Sequence, residues 1–163
     1  MIIALTASAL SITSCKHEPV AEIDLELFEM AKKTSGFTWF SDSSVLLEHS
    51  SGSGHSQRYL RTRYNSIAAS ILDAQGRITA NAVFPDRSLV VKELYRNSND
   101  LVRYAILYKD PSNSNADAQG WVWGYIDADG GVAVSATEKG RSCNGCHSQS
   151  ENIDYMLMNK YFP

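Results

Sequence analysis

The chain has 163 residues, a formal net charge of −3, 44% hydrophobic and 20% charged residues. That size and balance fit a single domain with one real core. No basic stripe is present, which excludes nucleic acid as a partner, while a mildly acidic surface would suit a basic electron-transfer partner.

Residues 1–14 carry no charge and are mostly apolar, from Ile2-Ile3-Ala4-Leu5 to Ile12. The stretch is too short to span a membrane and fits the core of a signal peptide. It runs into Ile12-Thr13-Ser14-Cys15, which matches the lipobox of bacterial lipoproteins: an aliphatic residue, two small residues, then the cysteine that becomes lipidated. Cys15 is therefore expected to carry the lipid, with residues 15–21 a tether and 22–163 a single domain. The chain would then be exported, periplasmic or at the cell surface, and anchored to a membrane. Ordinary cleavage near Glu18-Pro19 is the alternative.

Ile23, Leu27, Met30 and Ala31 recur at helical spacing and predict an amphipathic helix over 22–34. Phe37-Thr38-Trp39-Phe40 suggests a first strand. Residues 48–56 are small and polar and read as a flexible surface loop, although its two histidines, His49 and His55, raise a metal site as an alternative. Tyr59 to Tyr64 alternates as a strand with both faces partly polar. Ser66 to Leu72 predicts a short helix with Ser66 as its cap. Leu89–Tyr95, Leu101–Tyr108 and Trp121–Ile126 are three strands without intervening helices, which argues for an antiparallel meander. Asp110 to Gly120 is their hairpin loop, and Glu151 to Lys160 a closing helix. The expected fold is α+β and mainly β, a large antiparallel sheet with a few short helices.

Residues 143–147 read Cys143-Asn144-Gly145-Cys146-His147, the C-x-x-C-H attachment motif of a c-type haem. Two thiols three positions apart can add to the two vinyl groups of one macrocycle as thioethers, and the next residue offers its imidazole to the iron. One covalent haem c, with Cys143 and Cys146 as its linkers and His147 as its axial ligand, is the expected cofactor. Such attachment happens outside the cytoplasm, in keeping with the leader. A redox dithiol and half a zinc site are the other readings. Met156 and Met158 follow too closely to reach the opposite side of the iron. The distal position is therefore expected to be open or weakly occupied.

With these segments in hand, the chain resembles the cytochrome P-460 family, which includes the cytochromes c′-beta. The resemblance covers about Gly54 to Tyr155. It is carried by Phe84-Pro85-Asp86-Arg87-Ser88-Leu89-Val90-Val91-Lys92-Glu93, by Trp121-Val122-Trp123-Gly124-Tyr125-Ile126-Asp127-Ala128-Asp129-Gly130, by the haem motif and by Asp154-Tyr155. It implies a homodimer built on a large antiparallel sheet and a five-coordinate haem with His147 proximal. In P-460 members the lysine at the position of Lys92 is bonded to the porphyrin and hydroxylamine is oxidised. In c′-beta members that bond is missing, and a phenylalanine-lined pocket binds nitric oxide or carbon monoxide. The resemblance makes Lys92 and Glu138 the candidate catalytic residues, Glu138 as proton acceptor, and Phe84, Phe37 and Phe40 the candidate distal wall. The expected ligand is a small nitrogenous molecule, with or without turnover, and a soluble or membrane-bound redox partner follows. Plain electron transfer is the third reading. Without the resemblance, Lys92 is a lysine inside an apolar strand, which needs either a function or an edge position from which to snorkel.

Overall fold

The computed structural model describes residues 19–163; the expected leader at 1–14 and Cys15 lie outside the described residues. Helix α1 (Glu22–Lys32) comes first, followed by strands β1 (Phe37–Trp39), β2 (Leu47–Glu48), β3 (Tyr59–Asn65), β4 (Leu89–Asn97), β5 (Asp100–Lys109), β6 (Trp121–Asp127) and β7 (Val132–Val134). Two single-turn helices close the chain, α2 (Asn144–His147) and α3 (Met158–Tyr161). The strands form one seven-stranded antiparallel sheet in the order β1-β3-β4-β5-β6-β7, with β2 also paired to β3. The expected mainly-β fold with a central meander is therefore present.

Both faces of the sheet are covered, so β4 to β6 read as nearly continuous apolar runs. On one face Ile23, Leu27 and Ala31 of α1 pack on Leu89, Val91, Ile106, Val122 and Ile126. The close approach depends on Gly124, where a Cβ would stand 2.9 Å from Leu27 Cδ1. Leu27 is fully buried, so its truncation to alanine should cost about 2–5 kcal/mol. Asp24, in the first turn of α1, accepts from Ser135 Oγ at 2.6 Å and from the Ala136 amide at 2.7 Å, which ties the helix to the segment after β7. Glu93 lies on this face too. It holds the buried Arg63 and, at 2.6 Å, Arg61, and accepts from Tyr95 OH at 2.6 Å. This ion-paired cluster explains why β3 carries arginines on an inward face.

On the opposite face Leu60, Tyr64, Val90, Leu94, Leu107, Trp121 and Trp123 meet Phe40, Phe84, Met156 and Met158. Asp154 fastens the C-terminal segment there. Its carboxylate accepts from Lys109 Nζ at 3.1 Å, from Trp121 Nε1 at 3.0 Å and from the Phe84 amide at 2.9 Å.

Two expected helices differ. Between 66 and 72 only a 3-10 turn forms, at Ala68–Ile71. Its cap is Asn65, whose Oδ1 accepts from the amides of Ala68 and Leu89, while Ser66 is exposed. At the C-terminus, residues 151–157 are turns and only Met158–Tyr161 is helical. Glu151, Asp154 and Tyr155 have positive φ, which a continuous helix cannot contain, and the Asp154 carboxylate is drawn to donors on β5, β6 and the loop before β4.

Candidate functional site

Antiparallel pairing aligns Thr62, Lys92, Ala105, Tyr125 and Val134 in one row across β3 to β7. Paired residues share a face, and this row lies on the face opposite α1. Lys92 therefore sits in a central strand, not on an edge, and its neighbour Glu93 is on the other face as strand parity requires.

The C-x-x-C-H segment lies above this row. Cys143 precedes the single turn of α2, and its amide and that of Asn144 both donate to Gly140 O at 2.8 Å. Gly140 has φ +69, and a Cβ there would lie 2.6 Å from the Trp123 ring. Only glycine brings this backbone so close to the sheet. The ring of His147 then stands edge-on to Trp123, centroids 5.0 Å apart. Its Nδ1 donates to Tyr155 O at 2.7 Å, since a carbonyl can only accept. Nε2 is left with its lone pair uncommitted.

Lys92, Cys143, Cys146 and His147 line one cleft, together with His55 and Tyr125. The cleft contains about 680 Å³ of non-atom space, counting its open mouth, and Val134 and Leu157 add apolar wall. Lys92 is half-buried and lines the cleft, and burial pushes its amine down to about 8, with Cys146 opposing the shift. Burial likewise takes His147 down to about 4, against the bond to the Tyr155 carbonyl and helped by Lys92. His55 falls far below the usual histidine range through burial, with Lys92 and His147 adding to it. Burial raises the Cys143 thiol. Burial thus disfavours the charged form of each of these four groups. A nucleophilic redox dithiol needs a lowered thiol pKa, and Cys143 goes the other way.

The remaining sequence candidates fall elsewhere. Glu138 ends the 3-10 turn Ala136–Glu138 and accepts from Ser142 Oγ at 3.2 Å. Ser142 lines the cleft; Glu138 does not. None of the three phenylalanines lines it either. Phe84 is buried between Tyr64, 6.3 Å away and nearly parallel, and the edge of Trp121 at 5.5 Å. Phe40 belongs to the same core cluster. Phe37 packs on the α1 side, with the Arg63 guanidinium 5.0 Å from its ring. Phe40 and Phe84 are thus core residues and Phe37 is a half-buried residue on the α1 side, and none of the three lines the cleft of the C-x-x-C-H segment. Met156 and Met158 are buried in the core, and Met158 Sδ accepts from Thr62 Oγ1 at 3.2 Å.

Sequence reasoning places His55 in a flexible surface loop, with a metal site only as the alternative, and gives Tyr125 no role. The loop over 48–56 is not a free surface loop. Gly54 passes so close to the motif that a Cβ there would meet Cys146 Sγ at 3.3 Å, and the His55 side chain enters the cleft, its Nδ1 3.3 Å from Tyr125 OH. The sequence signals are the histidine itself and the two glycines just before it, Gly52 and Gly54. His49 turns away, 3.2 Å from Ser53 O. Among the described residues no three His, Cys, Asp or Glu side chains converge as a set for a bare metal ion.

Compared with known proteins, this chain finds no counterpart: no family model matches it, and neither a curated protein nor a solved structure does.

Proposed function

We propose that this chain is an exported mono-haem c protein of the P-460 type, anchored through Cys15, that binds or oxidises a small nitrogenous molecule such as hydroxylamine or nitric oxide. One observation carries the reading. Lys92 and the C-x-x-C-H residues Cys143, Cys146 and His147, far apart in the sequence and singled out separately, line one cleft.

The side chains fit a covalently held haem. Two free thiols three positions apart border a cleft with apolar walls, and the adjacent imidazole has Nε2 uncommitted. Bound there, the haem would supply an iron that takes small ligands and exchanges electrons with an external redox partner. Cys143 and Cys146 would hold it, and His147 would bind the iron through Nε2, its ring oriented by the Tyr155 carbonyl as metal-bound histidines commonly are. Lys92, with an amine near 8, is partly unprotonated at neutral pH and suited to bonding the macrocycle. A proton leaving the cleft would reach Glu138 through the Ser142 hydroxyl. A homodimer is part of the same proposal.

Absorption spectroscopy of the reduced protein tests this. A Lys92 cross-link should displace the ferrous Soret band far to the red, and Lys92→Ala should return it to an ordinary haem c position. An ordinary spectrum in the wild type removes the cross-link and favours gas binding without turnover. Carbon monoxide should perturb the ferrous spectrum; an unchanged spectrum would contradict small-ligand binding. Electron transfer is the second reading, favoured by His55 in the cleft.

A further inference from the structure

We infer that His55 is the second axial ligand of this centre, filling the position opposite His147 until a small molecule displaces it. The inference rests on the haem reading above and changes one of its expectations: the iron would be closed at rest rather than open.

The two imidazoles are prepared alike. Both line the cleft. His147 spends Nδ1 on Tyr155 O at 2.7 Å. His55 has Nδ1 3.3 Å from Tyr125 OH. Tyr125 directs its own proton to Gln57 Oε1 at 3.4 Å, so its oxygen accepts from His55. Each ring is thus left with Nε2 unbonded, the arrangement found where a histidine ligates a metal and a second group fixes its tautomer.

The separation also fits. The ring centroids of His55 and His147 are 6.3 Å apart, their planes inclined at 73°. Two metal–nitrogen bonds of about 2 Å, with about 1.1 Å from ring centre to nitrogen at each end, span roughly 6 Å. The observed centroid separation matches that span.

The loop that carries His55 is tied down. The Tyr161 hydroxyl donates to Gly52 O at 2.9 Å and accepts from Gln149 Nε2 at 3.0 Å. The His49 amide donates to Arg58 O at 2.8 Å, closing the loop at its base. His55 is therefore presented from a pinned loop, whereas His147 is held by the covalent motif itself. Hydrogen bonds hold that loop, whereas His147 would adjoin a covalent link to the macrocycle, so His55 is the exchangeable one of the two.

The test uses the full-length, haem-loaded protein in its ferric form, read by electron paramagnetic resonance and absorption. The wild type should be low-spin and six-coordinate. His55→Ala should become high-spin, and added imidazole should restore the low-spin signal. A high-spin wild type, or a low-spin signal that survives His55→Ala, overturns the proposal. In either case the mass of the intact protein still reports covalent haem, so the reading it rests on stands. If the alanine variant does not accumulate, the wild-type spin state decides, and His55→Met should replace the bis-imidazole signal by that of a methionine–histidine pair. A mass without haem overturns both.

Discussion

His147 donates from Nδ1 to the carbonyl of Tyr155 at 2.7 Å, and the preceding residue, Asp154, bonds to Lys109, Trp121 and the Phe84 amide. The orientation of the proposed proximal imidazole thus depends on a buried ion pair on the sheet. Asp154→Ala leaves Lys109 buried without its partner, a loss of about 3–5 kcal/mol. Thermal unfolding should show a Tm lower by roughly 10 °C. Adding Lys109→Met should recover part of it, since the pair is coupled. An unchanged Tm in Asp154→Ala would contradict this role.

Lys92 makes stability depend on pH. Burial pushes its folded pKa down to about 8 from 10.5. Between those values the unfolded chain holds more protons than the folded one, so stability rises with pH across the window. The destabilisation is fully present below pH 8 and is relieved as pH climbs towards 10.5. In a haem-free Cys143→Ala, Cys146→Ala chain, chemical denaturation should show a gain on the order of 1–2 kcal/mol, allowing for screening at the cleft mouth. Lys92→Met should flatten it; the same pH dependence in both chains would contradict the buried amine.

Glu138 reaches the cleft only by way of Ser142. If the pair accepts protons from the substrate, Glu138→Ala and Ser142→Ala should each slow hydroxylamine turnover by about 10²-fold, the lower range for losing a general base. Full turnover in either variant removes that residue from the proposal.

Anchoring has a separate test. Cys15→Ser should move the exported protein from the membrane fraction to the soluble one. Retention of the variant in the membrane fraction would contradict anchoring through Cys15, and a wild type already in the soluble fraction would favour ordinary cleavage.

The long strands were readable because β4, β5 and β6 are apolar on both faces, and both faces are covered. The parity of β4 placed Lys92 and Glu93 on opposite faces correctly. β2 and β7, two and three residues long, are too short to leave an alternating pattern. The closing helix was misread because the polar residues over 151–157 look helical locally, whereas the partners of Asp154 are far away in sequence. His55 was assigned to a surface loop for the same reason: a Gly-Ser-rich loop reads as solvent-exposed until the motif against which it packs is in place. The three phenylalanines illustrate the converse, since aromatic character does not tell which end of a sheet a ring will cover.

The most direct measurement is the intact mass of the exported protein, compared with that of a Cys143→Ala, Cys146→Ala variant. Beyond the lipid proposed on Cys15, the wild type should carry the mass of one haem, resistant to acid extraction, with that gain lost in the variant. A wild type whose mass equals that of the variant once the Cys-to-Ala differences are allowed for, both thiols free to react with an alkylating reagent, would contradict the account.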